Sequence, residues 1–513
     1  MRIAFVDNFA FNFGIAHLMP ELKMAGHDTH FFNHPFSKWQ AKVFSEPQRY
    51  YNFDKLADEI LAFAPDVVGG AVLSANYQFF RQLVDKLKQR RPDLPVVAGG
   101  VLPTMAAKLF FDDTKVDYVY RGEAEGQVCR LFEAIVSGDP TSVPNLCRRT
   151  ENGFHLAEVV HKVDDLDALP YYDKEAYDTT HVLPMLTGRG CVQKCTYCSA
   201  GSHTRLVTPD GMKLIRKRSV DNVLDEIEQA VRKTPTVKTI YFNDDYFIYG
   251  REWTAEFAEK YPVRVGLPFS CIAFPASINE DMADLLVKAG CETVYMGFQT
   301  GAEAYKRKVL DRHEANERVA AVIELLHSRG IECVIDHILN LPGETRDDIR
   351  TSLAFYIDNN VKWLNIAFLN YFPDSRITHQ AHQMGVLDDA LYHEILLNRH
   401  IGEQSYRGTI TNRKLSDQQV RWALCIRLAH WLPGPLLMKL YDKGWDRILP
   451  AGRSFYYGFS LLTMAKDLGL RAIMVSFVIN GLFQTRKGSG LDTVTGWARD
   501  LWRRLRPSGV KKA

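Results

Sequence analysis

The chain has 513 residues, which is more than one ordinary hydrophobic core takes up and enough for two or three domains. Apolar residues make up 46% and charged residues 24%, as is usual for a soluble globular protein. The formal net charge of +2 excludes a general electrostatic attraction to nucleic acid, so nucleic acid is not an expected partner.

The cysteines indicate the compartment. There are 9 of them, an odd number without a regular framework, which argues against a secreted disulfide scaffold. The chain also begins with a strand-like segment rather than a signal peptide. These features predict a reducing, cytoplasmic location.

The first 140 residues alternate short apolar runs with amphipathic helical patterns, with strand candidates at 3–7, 29–32, 67–70, 96–98 and 118–120. This alternation predicts an α/β domain with a doubly wound, Rossmann-like parallel sheet. Ligands of such sheets bind at the carboxyl ends of the strands. Ser74 follows the third candidate strand there. Gly99 and Gly100 follow the fourth, either to let a large ligand approach the backbone or to form a tight turn.

Residues 141–180 lose this periodicity and contain several prolines, which predicts a linker. The alternation resumes over residues 181–378, with strand candidates at 183–188, 237–243, 265–271, 293–297, 331–338 and 363–368. Six strand–helix units predict a partial (β/α)6 barrel, whose chemistry gathers at the carboxyl ends of its strands. Ser219 is a candidate N-cap, and Gly290 is a candidate helix terminator.

Residues 379–513 have a mostly helical pattern. The apolar stretch 472–483 is too short to span a bilayer, which needs ~20 apolar residues. Residues 497–506 form a basic amphipathic pattern. Such a helix either packs on the protein or makes peripheral contact with an anionic membrane surface.

Cys191, Cys195 and Cys198 form a C-x3-C-x2-C motif just after the first barrel strand. Converging thiolates in a compact loop are typical of iron–sulfur clusters. Three cysteines leave one iron of a 4Fe–4S cluster without a protein ligand, so that iron can bind a substrate or cofactor. A structural zinc site is the inorganic alternative, with His203 as the nearest fourth ligand.

The motif, with Tyr197 before its last cysteine, resembles that of the radical S-adenosylmethionine (SAM) superfamily. The resemblance implies that the open iron binds the amino and carboxylate groups of SAM. An electron from a donor such as flavodoxin or ferredoxin then breaks a carbon–sulfur bond and yields a 5′-deoxyadenosyl radical. In such enzymes the protein orients the cofactors and excludes side reactions.

Three further segments resemble this family in the expected order. Asp244 and Asp245 follow the second barrel strand, where relatives bind the amino group of SAM, although turn-forming acids are the alternative. Gln299 stands where relatives carry an acid, and its amide can bind ribose hydroxyls but cannot act as a base. Glu344 lies in a Leu-Pro-Gly-Glu-Thr segment near the adenine of relatives, where Glu344 is alternatively structural and Thr345 caps the next helix.

The first 140 residues resemble the cobalamin-binding domain that precedes the barrel in one class of these enzymes, through segments 98–104 and 116–125. The Asp-x-His-x-x-Gly motif that supplies a histidine to cobalt is absent, because the loop 7–14 contains no histidine. Many radical members also lack that ligand. The resemblance implies cobalamin as a second cofactor, and the alternative is a domain kept for packing or substrate binding.

The resemblance implies an enzyme that abstracts hydrogen from a small or lipid-like metabolite, followed by cobalamin-dependent C-methylation. Oxidative cyclisation or rearrangement on the same scaffold is an alternative within this class. A non-catalytic cobalamin or redox sensor is an alternative of another class, against which the polar residues Asp244, Gln299 and Glu344 on successive strands argue. A methylthiotransferase acting on transfer RNA would need amino-terminal cysteines for a second cluster, and none precedes Cys129.

Overall fold

The computed structural model describes residues 1–8, 12–33, 52–173, 181–208, 213–373, 375–399 and 416–450. The strands are β1 (Arg2–Asp7), β2 (Asp28–Asn33), β3 (Val67–Ala71), β4 (Val96–Gly99), β5 (Tyr118–Tyr120), β6 (Leu146–Thr150), β7 (Gly153–His155), β8 (Val182–Met185), β9 (Gly188–Arg189), β10 (Arg216–Lys217), β11 (Thr239–Phe242), β12 (Phe269–Ile272), β13 (Cys291–Gln299), β14 (Glu332–Leu339) and β15 (Trp363–Phe368). The helices are α1 (Phe13–Met24), α2 (Phe53–Ala62), α3 (Tyr77–Arg90), α4 (Val101–Met105), α5 (Ala107–Asp113), α6 (Val128–Ser137), α7 (Ser199–Leu206), α8 (Val220–Lys233), α9 (Arg251–Arg264), α10 (Glu280–Ala289), α11 (Glu303–Leu310), α12 (Asn316–Ser328), α13 (Arg346–Asp358), α14 (Arg376–Gln383), α15 (Asp389–Leu396), α16 (Asp417–Leu428) and α17 (Gly434–Asp442).

The amino-terminal sheet has the strand order β2-β1-β3-β4-β5-β6-β7. Its first five strands are parallel, which confirms the doubly wound prediction. Helices α2 to α5 cover one face of the sheet, and α1 and α6 cover the other. Strand β1 pairs with both β2 and β3, so the direction of winding reverses there and leaves a crevice at the carboxyl ends of β1 and β3.

Residues 141–180, for which the sequence predicts a linker, contain a hairpin that extends this sheet. Strand β6 pairs antiparallel with β5, and β7 pairs antiparallel with β6. The buried residues Leu146 and Cys147 attach the hairpin to the two hydrophobic layers of the domain. The pattern of β6 is hard to recognise in the sequence because only these two of its residues are buried.

The second sheet has the order β15-β14-β13-β12-β11-β8, and all six strands are parallel, which confirms the partial barrel. Burial alternates along β14: Cys333 and Ile335 pack outward against the helices, and Val334 and Asp336 line the interior. The first predicted strand is shorter than expected, because β8 ends at Met185 and the next residues pair separately as the β9–β10 hairpin.

The helix boundaries follow local chemistry. The Ser219 side chain accepts a hydrogen bond from the Asn222 amide at the start of α8, which confirms the predicted N-cap. Gly290 ends α10 in the left-handed conformation, with φ of +89°. Thr345 and Asp348 form a reciprocal capping box that begins α13. Strand β12 begins later than predicted, at Phe269, because α9 continues to Arg264.

The carboxyl-terminal helices pack on the outside of the barrel. Arg346 on α13 forms an ion pair of 3.1 Å with the fully buried Asp446. Among the residues that the structure describes, no helix is both long and apolar enough to cross a bilayer. The stretches 472–483 and 497–506 lie outside the described residues.

Candidate active site

The three clustered cysteines lie in the loop between β9 and α7. Cys191 and Cys195 are buried, Cys198 is half-buried, and all three are free thiols. The loop is held by buried hydrogen bonds. The amide of Cys191 donates to Thr204 Oγ1 at 3.1 Å, and Thr196 Oγ1 donates to the carbonyl of Val309 at 2.7 Å. The loop is therefore anchored to both α7 and the end of α11.

Burial raises the pKa of the Cys191 thiol to about 11 and that of Cys198 to about 12. Cys195 and the Asp245 carboxylate raise the pKa of both thiols further. The three sulfurs and this carboxylate therefore interact electrostatically within one site. A site of this kind stabilises thiolates only when a metal cation supplies the missing positive charge.

The distribution of donors fits a multi-iron cluster. In the described part of the chain, no three His, Cys, Asp or Glu side chains converge on a single metal ion. In a 4Fe–4S cluster each thiolate binds a different iron, so the sulfurs need not meet at one point. His203, the fourth zinc ligand considered above, instead has Glu123, Arg189 and Arg216 as its charged neighbours.

The two adjacent aspartates after β11 have different surroundings. Asp244 is buried, and its carboxylate accepts hydrogen bonds from the amide of Thr187 at 3.0 Å and from Thr187 Oγ1 at 2.7 Å. Lys217 Nζ lies 3.5 Å from Asp244 Oδ1. Asp244 therefore ties the β8–β9 loop to β11, and its carboxylate is hydrogen-bonded within the protein.

Asp245 is exposed within the cleft and faces Cys191 and Cys198. The surrounding protein and the neighbouring charge of Asp244 raise the pKa of Asp245 to about 6, so Asp245 is still mostly ionised at neutral pH. Of the two aspartates, Asp245 is the one available to an ammonium group.

Gln299 is the last residue of β13, and Glu344 follows β14. Gln299 has a left-handed backbone, with φ of +69°, and its buried Oε1 has no hydrogen-bond partner among the described residues. A side chain at Gly297 would lie 2.5 Å from Gln299 Nε2, so this glycine makes room for the amide. Glu344 Oε2 accepts a hydrogen bond from the amide of Asn340 at 3.2 Å, and its buried Oε1 has no hydrogen-bond partner among the described residues.

Sequence reasoning missed two charged residues in the barrel interior. Arg312, which follows α11, donates to Tyr197 Oη at 3.1 Å and to the carbonyl of Gly297 at 2.8 Å. Asp336 on β14 accepts a hydrogen bond of 2.8 Å from Asn365, and burial raises the pKa of Asp336 to about 6. An acidic residue between the apolar residues Ile335 and Ile338 of β14, beside His337, is a signal that could have identified Asp336, whereas no local pattern indicates Arg312.

The crevice of the amino-terminal sheet is bridged by buried polar groups. Asn76 Nδ2 donates to Asp7 Oδ1 at 2.8 Å, and Asn12 Nδ2 donates to Asp7 Oδ2 at 2.7 Å. Asp7 ends β1 and Asn76 follows β3, so this contact closes the bottom of the crevice. Ser74 lies half-buried on the β3 loop, and its carbonyl accepts a hydrogen bond from Asn398 of the barrel side at 2.9 Å.

The two predicted glycines differ in their surroundings. A Cβ atom at Gly99 would lie 4.0 Å from the carbonyl oxygens of Gly70 and Tyr120, which leaves ordinary contact space. Gly100 has φ of +99°, and a Cβ atom there would lie 3.0 Å from the amide nitrogen of Val72. Gly100 is thus required by the turn itself, whereas a Cβ atom at Gly99 would fit in ordinary van der Waals contact.

Both domains that contribute to this site match known protein families. Residues 185–356 match the model of the radical SAM superfamily, and residues 3–132 match that of the B12-binding domain. The chain therefore contains a radical SAM domain and a B12-binding domain. It is an enzyme with three cofactors, namely a 4Fe–4S cluster, SAM and cobalamin.

Relatives of this radical SAM enzyme include methyltransferases and a cyclase. An uncharacterized methyltransferase of Pyrococcus horikoshii is 25% identical over 343 residues, which cover 64% of this chain and 72% of the relative. An anaerobic magnesium-protoporphyrin IX monomethyl ester cyclase of Rubrivivax gelatinosus is 25% identical over 340 residues, which cover 63% of this chain and 59% of the relative.

Among solved structures, the radical SAM methyltransferase TsrM of Kitasatospora setae, with cobalamin and a 4Fe–4S cluster bound, has a similar fold. Its TM-score is 0.59 at 19% identity, over 74% of this chain and 75% of that one.

The residues present fit these cofactors. Three buried or half-buried thiols in one loop are a soft donor set suited to an iron–sulfur cluster. The crevice at the strand-order reversal suits a large planar ligand. Loop 7–14 lacks a histidine for cobalt, and residues 9–11 of that loop lie outside the described residues.

Proposed function

We propose that this radical SAM enzyme abstracts hydrogen from a carbon of a small or lipid-like metabolite and transfers a methyl group to that carbon. The observation that supports the proposal is the contact between the B12-binding domain and the segment that leads into the three cysteines. Arg189, two residues before Cys191, forms ion pairs with Glu123 and Glu125, which follow β5 of the B12-binding domain. Methyl transfer to a substrate radical needs cobalamin and cluster at one reaction centre, and this contact supports that arrangement.

When bound, the cluster supplies the electron that cleaves SAM, and cobalamin supplies the methyl group. We assign Cys191, Cys195 and Cys198 as the cluster ligands. We assign Asp245 as the acceptor for the SAM amino group, because it is ionised and faces two of these cysteines. Gln299, with its unpaired Oε1, is assigned to the ribose hydroxyls. Ser74 and Gly99 are assigned to cobalamin, and a flavodoxin- or ferredoxin-like protein to electron delivery.

The chain's own residues orient these groups. Arg312 Nη1 donates to Tyr197 Oη, and Tyr197 directly precedes Cys198 in the cysteine loop. The Arg312 side chain is 3% exposed, and Asp336 in the barrel interior is half-buried. A protected lumen is needed because a carbon radical reacts with most groups that it meets.

The test measures products of the anaerobically reconstituted protein given a chemical reductant and SAM. We expect 5′-deoxyadenosine from the wild-type protein, and neither cluster nor product from Cys195→Ala. Cys129→Ser is the matched control, because Cys129 lies on α6 of the other domain, and this variant should keep both. Continued formation of 5′-deoxyadenosine by Cys195→Ala would contradict the assignment.

A second measurement separates methylation from cyclisation. A methylating enzyme transfers the SAM methyl group and releases S-adenosylhomocysteine, whereas a cyclase on the same scaffold releases only 5′-deoxyadenosine and methionine from SAM. We expect S-adenosylhomocysteine when the reduced protein also holds cobalamin. Its absence, with 5′-deoxyadenosine still formed, would favour the cyclase alternative indicated by the relative from Rubrivivax gelatinosus.

A further inference from the structure

Four charged side chains join the B12-binding domain to the loop that carries the cysteines. We call Glu123, Glu125, Arg189 and Arg216 the interdomain ion cluster. Arg189 Nη2 lies 2.6 Å from Glu125 Oε1, and Arg189 Nη1 lies 3.3 Å from Glu123 Oε1. Arg216 donates two hydrogen bonds to the Glu123 carboxylate, at 2.6 and 2.8 Å. Two negative and two positive charges balance within it.

The interdomain ion cluster is shielded from water. The side chains of Arg189, Glu123, Glu125 and Arg216 are 19%, 10%, 7% and 6% exposed, respectively. Charge pairs at such depth are screened little by salt and hold a defined geometry. They therefore transmit a displacement from one domain to the other more faithfully than surface pairs do.

On the B12-binding side, the two glutamates belong to the loop that leaves the carboxyl end of β5. The amide of Gly122 donates to Thr104 Oγ1 at 2.9 Å, and Arg121 Nε donates to the carbonyl of Thr104 at 3.2 Å. Thr104 lies on α4, which begins directly after the Gly99–Gly100 turn. This loop is therefore fixed to the edge of the sheet at which ligands of this fold bind.

On the barrel side, Arg189 lies between two glycines that pack closely against neighbouring backbone. A Cβ atom at Gly188 would lie 2.5 Å from the carbonyl oxygen of Arg216, and one at Gly190 would lie 2.0 Å from that of Leu214. Cys191 follows at once, with its amide bonded to Thr204. The position of the Arg189 guanidinium is thus coupled to the position of the first cysteine.

We propose that the interdomain ion cluster couples the two cofactor sites, with Arg189 as the positioning residue, so that binding of the iron–sulfur cluster raises the affinity for cobalamin and the reverse. Fixing Cys191 on iron orders Arg189, and Arg189 orders the loop at Glu123 and Glu125. Binding of the second cofactor then does not include the entropy cost of ordering these residues again. Thermodynamic linkage requires the same factor in both directions. This inference rests on the proposed function, since it takes Cys191 as a cluster ligand.

The test is equilibrium dialysis of hydroxocobalamin against the full-length protein under anaerobic conditions. The protein is compared in two states, freed of iron by a chelator and reconstituted with iron and sulfide. We expect reconstituted wild-type protein to bind hydroxocobalamin about tenfold more tightly than the iron-free protein, within the usual range of coupling between sites. By reciprocity, bound hydroxocobalamin should also slow the loss of iron to the chelator.

Glu125→Gln should reduce this ratio of affinities to below about twofold, because Arg189 loses its closest charged partner. The backbone carbonyl of Glu125, which is bonded to His161 at 2.9 Å, is unaffected by the substitution. Arg189→Lys is the second variant, since a single ammonium cannot serve both glutamates as a guanidinium does. Arg189→Lys tests the same coupling if the Glu125→Gln protein does not fold.

Glu21→Gln is the matched control. Glu21 on α1 accepts a hydrogen bond from the amide of Gly126 in the same loop at 3.0 Å but makes no ion pair with the barrel in the described structure. This variant should keep the tenfold ratio. A wild-type ratio of one, an unchanged ratio in Glu125→Gln, or a lost ratio in Glu21→Gln would each overturn the inference. A failure of the proposed function would give a different result. The wild-type protein would then hold no cluster, or would bind no cobalamin in either the iron-free or the reconstituted state.

Discussion

Replacing Glu123 by glutamine removes the central charge of the interdomain ion cluster while keeping the shape of the side chain. The Glu123 carboxylate accepts two hydrogen bonds from Arg216 and one of 2.9 Å from the amide of Val163, and Arg189 lies 3.3 Å away. Glutamine retains one acceptor oxygen and presents an amide to two guanidinium groups. The variant therefore leaves two buried positive charges with only Glu125 to balance them.

The loss of stability expected for Glu123→Gln follows from the pKa of Glu123. Burial opposes ionisation, but Arg189 and Arg216 together lower the pKa of Glu123 from 4.5 to about 2. A difference of about 2.5 pH units corresponds to about 3 kcal/mol of stabilisation at neutral pH. Breaking a buried ion pair on one side costs about 3–5 kcal/mol, which is the same size. At about 2–4 °C per kcal/mol, the melting temperature should fall by about 6–12 °C.

The pH dependence has a definite sign. Because the folded state holds the proton more weakly than the unfolded state, the stabilisation by Glu123 is complete above about pH 5 and is lost as the pH falls from 4.5 toward 2. The difference in unfolding free energy between wild type and Glu123→Gln should therefore shrink by about 1 kcal/mol at pH 4 and by about 2 kcal/mol at pH 3.

The assay is urea unfolding of the cofactor-free protein at pH 7, 5 and 4, with thermal scans at pH 7. The control is Glu151→Gln, because Glu151 is exposed in the β6–β7 turn and should change stability by less than about 0.5 kcal/mol. A melting temperature of Glu123→Gln within about 2 °C of the wild type would refute the reasoning. So would a difference between the two proteins that does not change with pH.

Two further pairs of variants test the site residues. Asp245→Asn should weaken SAM binding about tenfold in equilibrium dialysis, because an ammonium loses a charged acceptor, whereas Asp244→Asn should chiefly lower the melting temperature. Equal losses of SAM affinity in both would contradict the different roles assigned to them. Gly190→Ala should lose more than half of its cluster iron, because its Cβ atom would lie 2.0 Å from the carbonyl oxygen of Leu214. Gly250→Ala has a similar φ of +90° with no atom within 4 Å, so it should keep its iron, and equal iron contents would contradict the steric argument.

Much of the architecture was predictable because it depends on local periodicity. The five parallel strands of the first domain and the six of the barrel are marked by apolar runs between amphipathic helices, and both predictions are confirmed. The caps at Ser219, Gly290 and Thr345 depend on one or two residues each and are confirmed as well. The cofactors were predicted from motif resemblance, and the family comparisons confirm them.

The roles of individual residues were harder to predict. The sequence places Asp244 and Asp245 side by side without indicating that one is bonded to Thr187 and the other faces the cysteines. Arg312 enters the site from beyond α11, and its partners Tyr197 and Gly297 are far away in the sequence. The β6–β7 hairpin was hidden because its burial comes from docking onto an existing edge.

The sequence by itself determined the three-cysteine motif, the order of strands and helices, and the two-domain plan, because spacing and periodicity are properties of neighbouring residues. Only the tertiary structure decided which polar groups meet. Glu123 and Arg189 are separated by more than sixty residues, yet their side chains form one buried ion cluster between the cofactor edges. The physical reason is that a buried charge is stable only beside an opposite charge, and the fold as a whole decides which residue that is.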